Sequence, residues 1–207
     1  VIKVKGKQTH GSRPWGGVDP VTAATQIIQG LNNIVSRQTE LTKEAAVISV
    51  GKITGGVRNN IIPEEVELVG TIRTLDVEMQ KMIHEKIKLT ATKIAESSGA
   101  TAEVDIQILV PVTFNHVALT KKMVPTLMKA AGKENVNNVD AITGAEDFSF
   151  FANRVPALFF FTGGKAPNRE AFPHHTPDFY IDESGMVTGV KAMAYLTVDF
   201  MNSPTIK

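Results

Sequence analysis

A chain of 207 residues, 43% hydrophobic and 21% charged, has room for one large domain or two small ones. This composition excludes collagen-like, low-complexity and intrinsically disordered classes. A formal charge of +1 gives no electrostatic case for a nucleic-acid or anionic-membrane partner. No apolar run approaches the roughly 18 residues that a membrane span needs. There is no cysteine, so thiolate nucleophiles, thiolate metal sites and disulfides are all excluded. Metal or acid–base chemistry therefore falls to Asp, Glu and the histidines His10, His84, His116, His174 and His175.

The opening residues 1–8 alternate apolar and charged side chains, Ile2 and Val4 against Lys3 and Lys5, and predict a half-buried strand. They do not resemble a signal peptide. With no initiator Met, what lies upstream is hidden, and the cytoplasm is the default compartment. A Gly/Pro-rich loop from Thr9 to Val18 follows. Asp19-Pro20 then supplies a capping acceptor and a proline at the first helical position, ahead of Ala24, Ile27, Ile28, Leu31, Ile34 and Val35 at helical spacing. Ala45 to Ile53 and Val66 to Thr74 read as strands. The segment between them, Thr54 to Pro63, is too long for a tight hairpin. Asp76 caps a second predicted helix through Met79, Ile83, Ile87 and Ile94, ended by Gly99, and Ala102 to Val112 predicts a further strand. The order βαββαβ makes a four-stranded antiparallel sheet with two helices on one face, an α+β domain over residues 1–112.

Beyond Pro111 the pattern changes. A helix is expected from Leu119 to Ala131, kinked or delayed by Pro125, then a short strand at Val139 to Ile142 and a helical turn at Glu146 to Ala152. Val155 to Phe161 is apolar without alternation, as in a strand covered on both faces of a parallel sheet. A helix from about Glu183 to Met201 closes the chain. Residues 113–207 supply too few strands to cover Leu158 to Phe161, which predicts an α/β half-domain that completes a larger one.

Several segments have residue types suited to chemistry. His174 and His175 form the one adjacent histidine pair. In an extended segment neighbours point to opposite faces, so one of the two at most enters a given site. Loop histidines bonded to backbone are the alternative. Glu146 and Asp147 stand beside the C-terminal end of a predicted strand, where open α/β sheets bind ligands. The same carboxylates would equally complement a helix dipole. Gly163 and Gly164 end the apolar run and offer bare backbone N–H groups, or ordinary turn chemistry. His10 lies in a glycine-rich loop and not on an apolar face. Asn59 and Asn60 suit turn positions, and Arg73 lies in a strand where it either meets a ligand or snorkels.

In order along the chain, Gly6 to Pro14 (with Thr9-His10-Gly11-Ser12-Arg13-Pro14), Gly17-Val18-Asp19-Pro20-Val21, Val35-Ser36-Arg37, Gly55 to Pro63, Gly70-Thr71-Ile72-Arg73, Gly144 to Phe148 and His175-Thr176-Pro177 form a recognisable series. The chain resembles the aminoacylase, hippurate-hydrolase and indole-acetyl-amino-acid hydrolase family of co-catalytic metallo-amidohydrolases. That family also carries a Cys-Gly-His-Asp-x-His motif, a Glu-Glu pair and a further His ahead of its lid, and none of these is in this chain. The resemblance therefore implies a lid, or dimerisation, domain followed by the C-terminal half of the catalytic domain.

The same resemblance implies roles. His175 matches the last metal ligand, with His174 facing away. His10 matches the lid histidine that reaches the partner subunit's active site and donates to the oxyanion. Asn60 and Arg73 match substrate-binding residues, the guanidinium suiting a carboxylate. Glu146, Gly163 and Gly164 would line the substrate pocket. The implied reaction is hydrolysis of an amide in an N-acyl amino acid or small peptide by a homodimer using two divalent ions, zinc, manganese, cobalt or nickel. The 207-residue chain alone is expected to be inactive, with most ligands absent, and to bind no metal firmly. A rival reading is a stand-alone, non-enzymatic dimerisation or peptide-binding module. It requires Leu158 to Phe161 to be covered by their own chain.

Overall fold

The computed structural model describes residues 1–203 and divides into two compact units. Unit 1 is Val1–Val112 together with Ile142–Ala145, and unit 2 is Thr113–Ala141 with the chain from Glu146 onward. The last four residues of the expected 113–207 half-domain lie outside those described.

Unit 1 is an α+β fold. Its antiparallel sheet has the order β3-β5-β1-β6, built from β1 (Ile2–Lys5), β3 (Ala46–Gly55), β5 (Glu65–Thr74) and β6 (Thr101–Val104). Alternation sets which face is buried. Ile2, Val4, Val66 and Leu68 point inward, while Lys3, Lys5, Glu67 and Glu103 stay on the other face and pair as Lys5–Glu103 and Lys3–Glu67. Helices α1 (Pro20–Gln38) and α2 (Val77–Ser97) cover the inner face with Ile27, Leu31 and Ile34 from one and Met79, Ile83 and Ile87 from the other. Their caps are those the sequence predicts. Asp19 accepts from Val21 N and Thr22 N, and Asp76 accepts from Met79 N at 2.7 Å. Gly30 lets the two helices approach closely, since a Cβ there would stand 2.7 Å from Thr90 Cγ2 and 2.8 Å from Ile94 Cδ1. A bulge between Val50 and Lys52 shifts the register of β3 and leaves Ile53 exposed on this edge strand.

Two expectations for this unit change. The last strand stops at Val104 instead of continuing to Val112. Its ladder with β1 runs from Thr101 opposite Lys5 to Val104 opposite Ile2, with Asp105 N bonded to Val1 O just beyond. The loops expected at Thr9 to Val18 and Thr54 to Pro63 contain a small two-stranded ribbon, β2 (Thr9–His10) with β4 (Ile61–Ile62).

Unit 2 has three helices, α3 (Val117–Ala131), α4 (Ser149–Ala152) and α5 (Ser184–Met201). Pro125 lies inside α3 without delaying its start, because His116 caps the helix through Leu119 N. Leu127, Ala130 and Ala192 are its buried apolar cluster, with Leu158, Phe160 and Leu196 against it. The strands expected at Val139 to Ile142 and Val155 to Phe161 are absent among the described residues. A strand needs a neighbour, and beyond α4 the hydrogen bonds to the second segment among the described residues come from Asn115 and His116. Asn115 brackets Phe159 with bonds of 2.8 and 2.6 Å, and His116 N bonds to Ala157 O. Of the apolar run only Ala157 is buried, and Phe161 is 57% exposed. The phenylalanines are not enclosed, contrary to what the stand-alone module requires.

Candidate active site

His10 and Asn60 come together through the β2–β4 ribbon. His10 pairs with Ile61, and the next peptide, Gly11 N, bonds to Asn60 O at 2.8 Å. The antiparallel ribbon thus places the loop after His10 beside the loop before Ile61. The first loop is tightened by Arg13 N to His10 O, 2.8 Å, and by Thr9 Oγ1 to Arg13 O, 3.1 Å. Both His10 and Asn60 are exposed, and the Asn60 amide makes no side-chain hydrogen bond among the described residues. His10 Nδ1 lies 2.7 Å from Ser12 Oγ and accepts from Ser12 N at 3.1 Å. Sequence reasoning did not single out Ser12. A hydroxyl two residues after a polar side chain in a glycine-rich loop is the available signal, the pattern of a local side-chain-to-backbone turn.

Arg73 is elsewhere. It is half-buried near the far end of β5, opposite Val47 of β3, and has no ion pair among the described residues. From Glu65, where β5 leaves the ribbon, to Arg73 is eight residues, roughly 26 Å of strand. The structure brings His10 and Asn60 together and holds Arg73 away from both.

In unit 2 the residues of interest lie around the start of α5. Gly164 O accepts from Asp182 N at 2.7 Å, and Gly185 lets the chain pass close, since a Cβ there would stand 2.5 Å from Gly163 O. A Cβ built on Gly163 itself meets nothing within 4 Å, so this glycine borders open space. Asp182 accepts from Ser184 N, and this bond to the backbone N–H, with the Ser184 hydroxyl second, holds its carboxyl below the usual range. Glu146 is half-buried and its carbonyl begins the turn into α4 by accepting from Ser149 N.

The histidine pair is not extended. Residues 174–178 form turns, and His175 has φ = 65°, the left-handed region, which is costly for a residue with a Cβ. The two rings stand edge-on, 6.5 Å between centres. His174 also packs on Phe179 at 4.8 Å between ring centres, and both histidines are exposed. Among the described residues no group of three or more His, Asp or Glu is placed to hold a metal ion. His175 alone is a suitable ligand type, but one imidazole does not make a co-catalytic centre.

Residues 1–98 match the family model of the peptidase dimerisation domain. The chain is 32% identical over 203 residues to thermostable carboxypeptidase 2 of Saccharolobus solfataricus, covering 97% of this chain and 51% of that protein. Against N-acetyldiaminopimelate deacetylase of Bacillus cytotoxicus it is 35% identical over 162 residues, 78% of this chain and 43% of the relative. Among solved structures, the Bacillus subtilis YXEP protein, described as a dinuclear metal binding peptidase of the M20 family, matches with TM-score 0.69 and 25% identity, over 98% of this chain and 51% of that one. The chain spans about half the length of the curated relatives it matches.

Proposed function

From the premise that this chain carries an M20-type peptidase dimerisation domain and is related along nearly its whole length to M20 peptidases and amidohydrolases, we propose that it acts as part of a metal-dependent amidohydrolase. The substrate is an N-acyl amino acid or small peptide, cleaved at its amide bond. Carboxypeptidase and N-acetyl deacetylase, the names of two relatives, both denote amide hydrolysis. Residues 1–112 serve as the lid through which two copies pair, with the ten-residue edge strand β3 as the free template. Residues 113–207 are the C-terminal half of the catalytic domain.

His10 donates a hydrogen bond to the oxygen that becomes negative as the amide carbonyl turns tetrahedral. Asn60, beside it, binds the same end of the substrate. Arg73 forks onto the substrate carboxylate, Glu146, Gly163 and Gly164 line the pocket, and His175 is one ligand of the metal pair. Two divalent ions, zinc, manganese, cobalt or nickel, would supply an ionised water when bound. The 207-residue chain alone is inactive in this reading, because it contributes a single ligand.

The separation of Arg73 from the His10–Asn60 ribbon carries the proposal. One small substrate does not span roughly 26 Å of strand, so a lid cannot offer both ends to one site. A two-fold dimer resolves this, with each site taking His10 and Asn60 from one subunit and Arg73 from the other. The test is complementation in the intact enzyme. His10→Gln and Arg73→Ala are each expected to be nearly inactive as homodimers. Mixed and allowed to exchange, they regain about one quarter of the wild-type rate, since half the dimers are hybrids with one complete site each. A mixture that stays inactive despite demonstrated exchange sinks the shared site.

A further inference from the structure

We propose that Ser12 is a positioning residue that fixes the tautomer of His10, leaving Nε2–H as the ring's one free polar group. A backbone N–H can only donate, and Ser12 N donates to His10 Nδ1 at 3.1 Å. Nδ1 must therefore keep its lone pair, and a neutral imidazole with an unprotonated Nδ1 has its hydrogen on Nε2. The Ser12 hydroxyl, 2.7 Å from the same nitrogen, then turns its own hydrogen toward the ring and becomes a second donor to it. Both donors belong to one residue, two positions along the chain, and no other partner of the ring is present among the described residues.

The loop is stiff enough for this to matter. Gly11 N to Asn60 O, Arg13 N to His10 O and Thr9 Oγ1 to Arg13 O fix the backbone on both sides of Ser12. An exposed imidazole without such partners exchanges its proton between two nitrogens and turns about its side-chain bonds. Here the ring is tied at Nδ1 and offers a donor, not a base. Nδ1 is occupied and Nε2 has no lone pair to accept a proton. The catalytic consequence rests on the reading of His10 as donor to the developing oxyanion; the tautomer assignment does not.

The experiment is a nitrogen–proton correlation spectrum of the intact protein labelled with 15N-histidine, at a pH where the ring is neutral. His10 is assigned by its loss in His10→Gln. The expected spectrum shows a pyridine-type Nδ1 and a pyrrole-type Nε2. In Ser12→Ala, which keeps the backbone N–H but loses the hydroxyl donor, both signals move part of the way toward the averaged position of exchanging tautomers, and Ser12→Thr, which keeps the hydroxyl, restores the separation. In parallel, Ser12→Ala lowers kcat about threefold to tenfold with little change in KM, the worth of one neutral hydrogen bond, and Ser12→Thr recovers it. A pyrrole-type Nδ1 in the wild type, or identical spectra for wild type and Ser12→Ala, overturns the assignment. If the spectra behave as stated while His10→Gln turns over normally, Ser12 keeps its role and the catalytic reading of His10 fails instead.

Discussion

The two units treat apolar surface in opposite ways. In unit 1 the inward residues of four strands and two helices close on one another, and Val4, Ile27, Ile34 and Ile83 are fully buried. In unit 2 the buried apolar residues are Leu119, Met123, Leu127, Ala130, Ala157 and Ala192, none of them fully enclosed, while α5 leaves Val187, Val190 and Val198 exposed. Polar atoms divide the same way. Among the described residues the buried side-chain oxygens without a hydrogen-bond partner are those of Thr120, Ser149 and Tyr180, all in unit 2. Unit 1 is an interior that its own sequence completes. Unit 2 has the surface of an interior, which is what half of a larger catalytic domain would show.

The largest expected effect contrasts one residue from each unit. Ile83→Ala removes a fully buried side chain from the α1–α2–sheet core and should cost about 2–5 kcal/mol in denaturant unfolding. Val190→Ala, on a residue 72% exposed, should stay within about 0.5 kcal/mol. Equal losses would mean that α5 is packed in solution and that the contrast between the units is false.

A smaller effect, of opposite sign, is expected at Ser149. Its hydroxyl is fully buried with nothing to bond to, so Ser149→Ala deletes an unmet polar group instead of a contact. The variant should be neutral or stabilised by about 1 kcal/mol in this chain. A loss of 1 kcal/mol or more in a chemical melt would show that the hydroxyl has a partner and that the interior of unit 2 is better satisfied than its geometry indicates.

Legibility followed the same division. In unit 1 the alternation of Ile2 to Lys5, the Asp19-Pro20 start and the Asp76 cap each specify local structure that the neighbouring elements also favour, so reading them one at a time suffices. The misreading there, the strand drawn out to Val112, came from treating alternation as enough, when a strand also needs a partner and the ladder with β1 spans Thr101 to Val104. The β2–β4 ribbon was hidden for a related reason. Two residues on each side carry no periodicity, and only the tertiary pairing of His10 with Ile61 defines it. In unit 2 the apolar run Val155 to Phe161 reads as a strand covered on both faces, yet it forms no ladder, since no second strand pairs with it among the described residues. His175 was found as a residue type; its left-handed backbone was not, since nothing in a His-His-Thr-Pro string requires positive φ. Ser12 escaped because its partner is the side chain it serves.

The smallest effect tests whether the two units unfold separately, and it uses a carboxylate at the approach to a helix in each. Asp76 accepts from Met79 N and pairs with Lys43, and these, the backbone bond first, hold its carboxyl below the usual carboxylate range. Asp182 is held low by Ser184. A carboxylate whose folded pKa is depressed adds stability above its unfolded value, about 3.9, and that contribution is lost as the pH falls through the folded value. Asparagine keeps a capping oxygen and removes the charge, so Asp76→Asn and Asp182→Asn should each lower a melting transition by a few degrees at most near neutral pH. The deficit should persist down to roughly pH 5, shrink below the unfolded value and close as the pH falls through the folded value, where the folded wild type loses the same charge. If unit 1 is the self-sufficient body and unit 2 the weaker one, scanning calorimetry resolves two transitions, with Asp76→Asn moving the upper and Asp182→Asn the lower. A single transition that both substitutions shift alike would mean that the chain melts as one cooperative body, and that the open surface of α5 costs unit 2 nothing in stability.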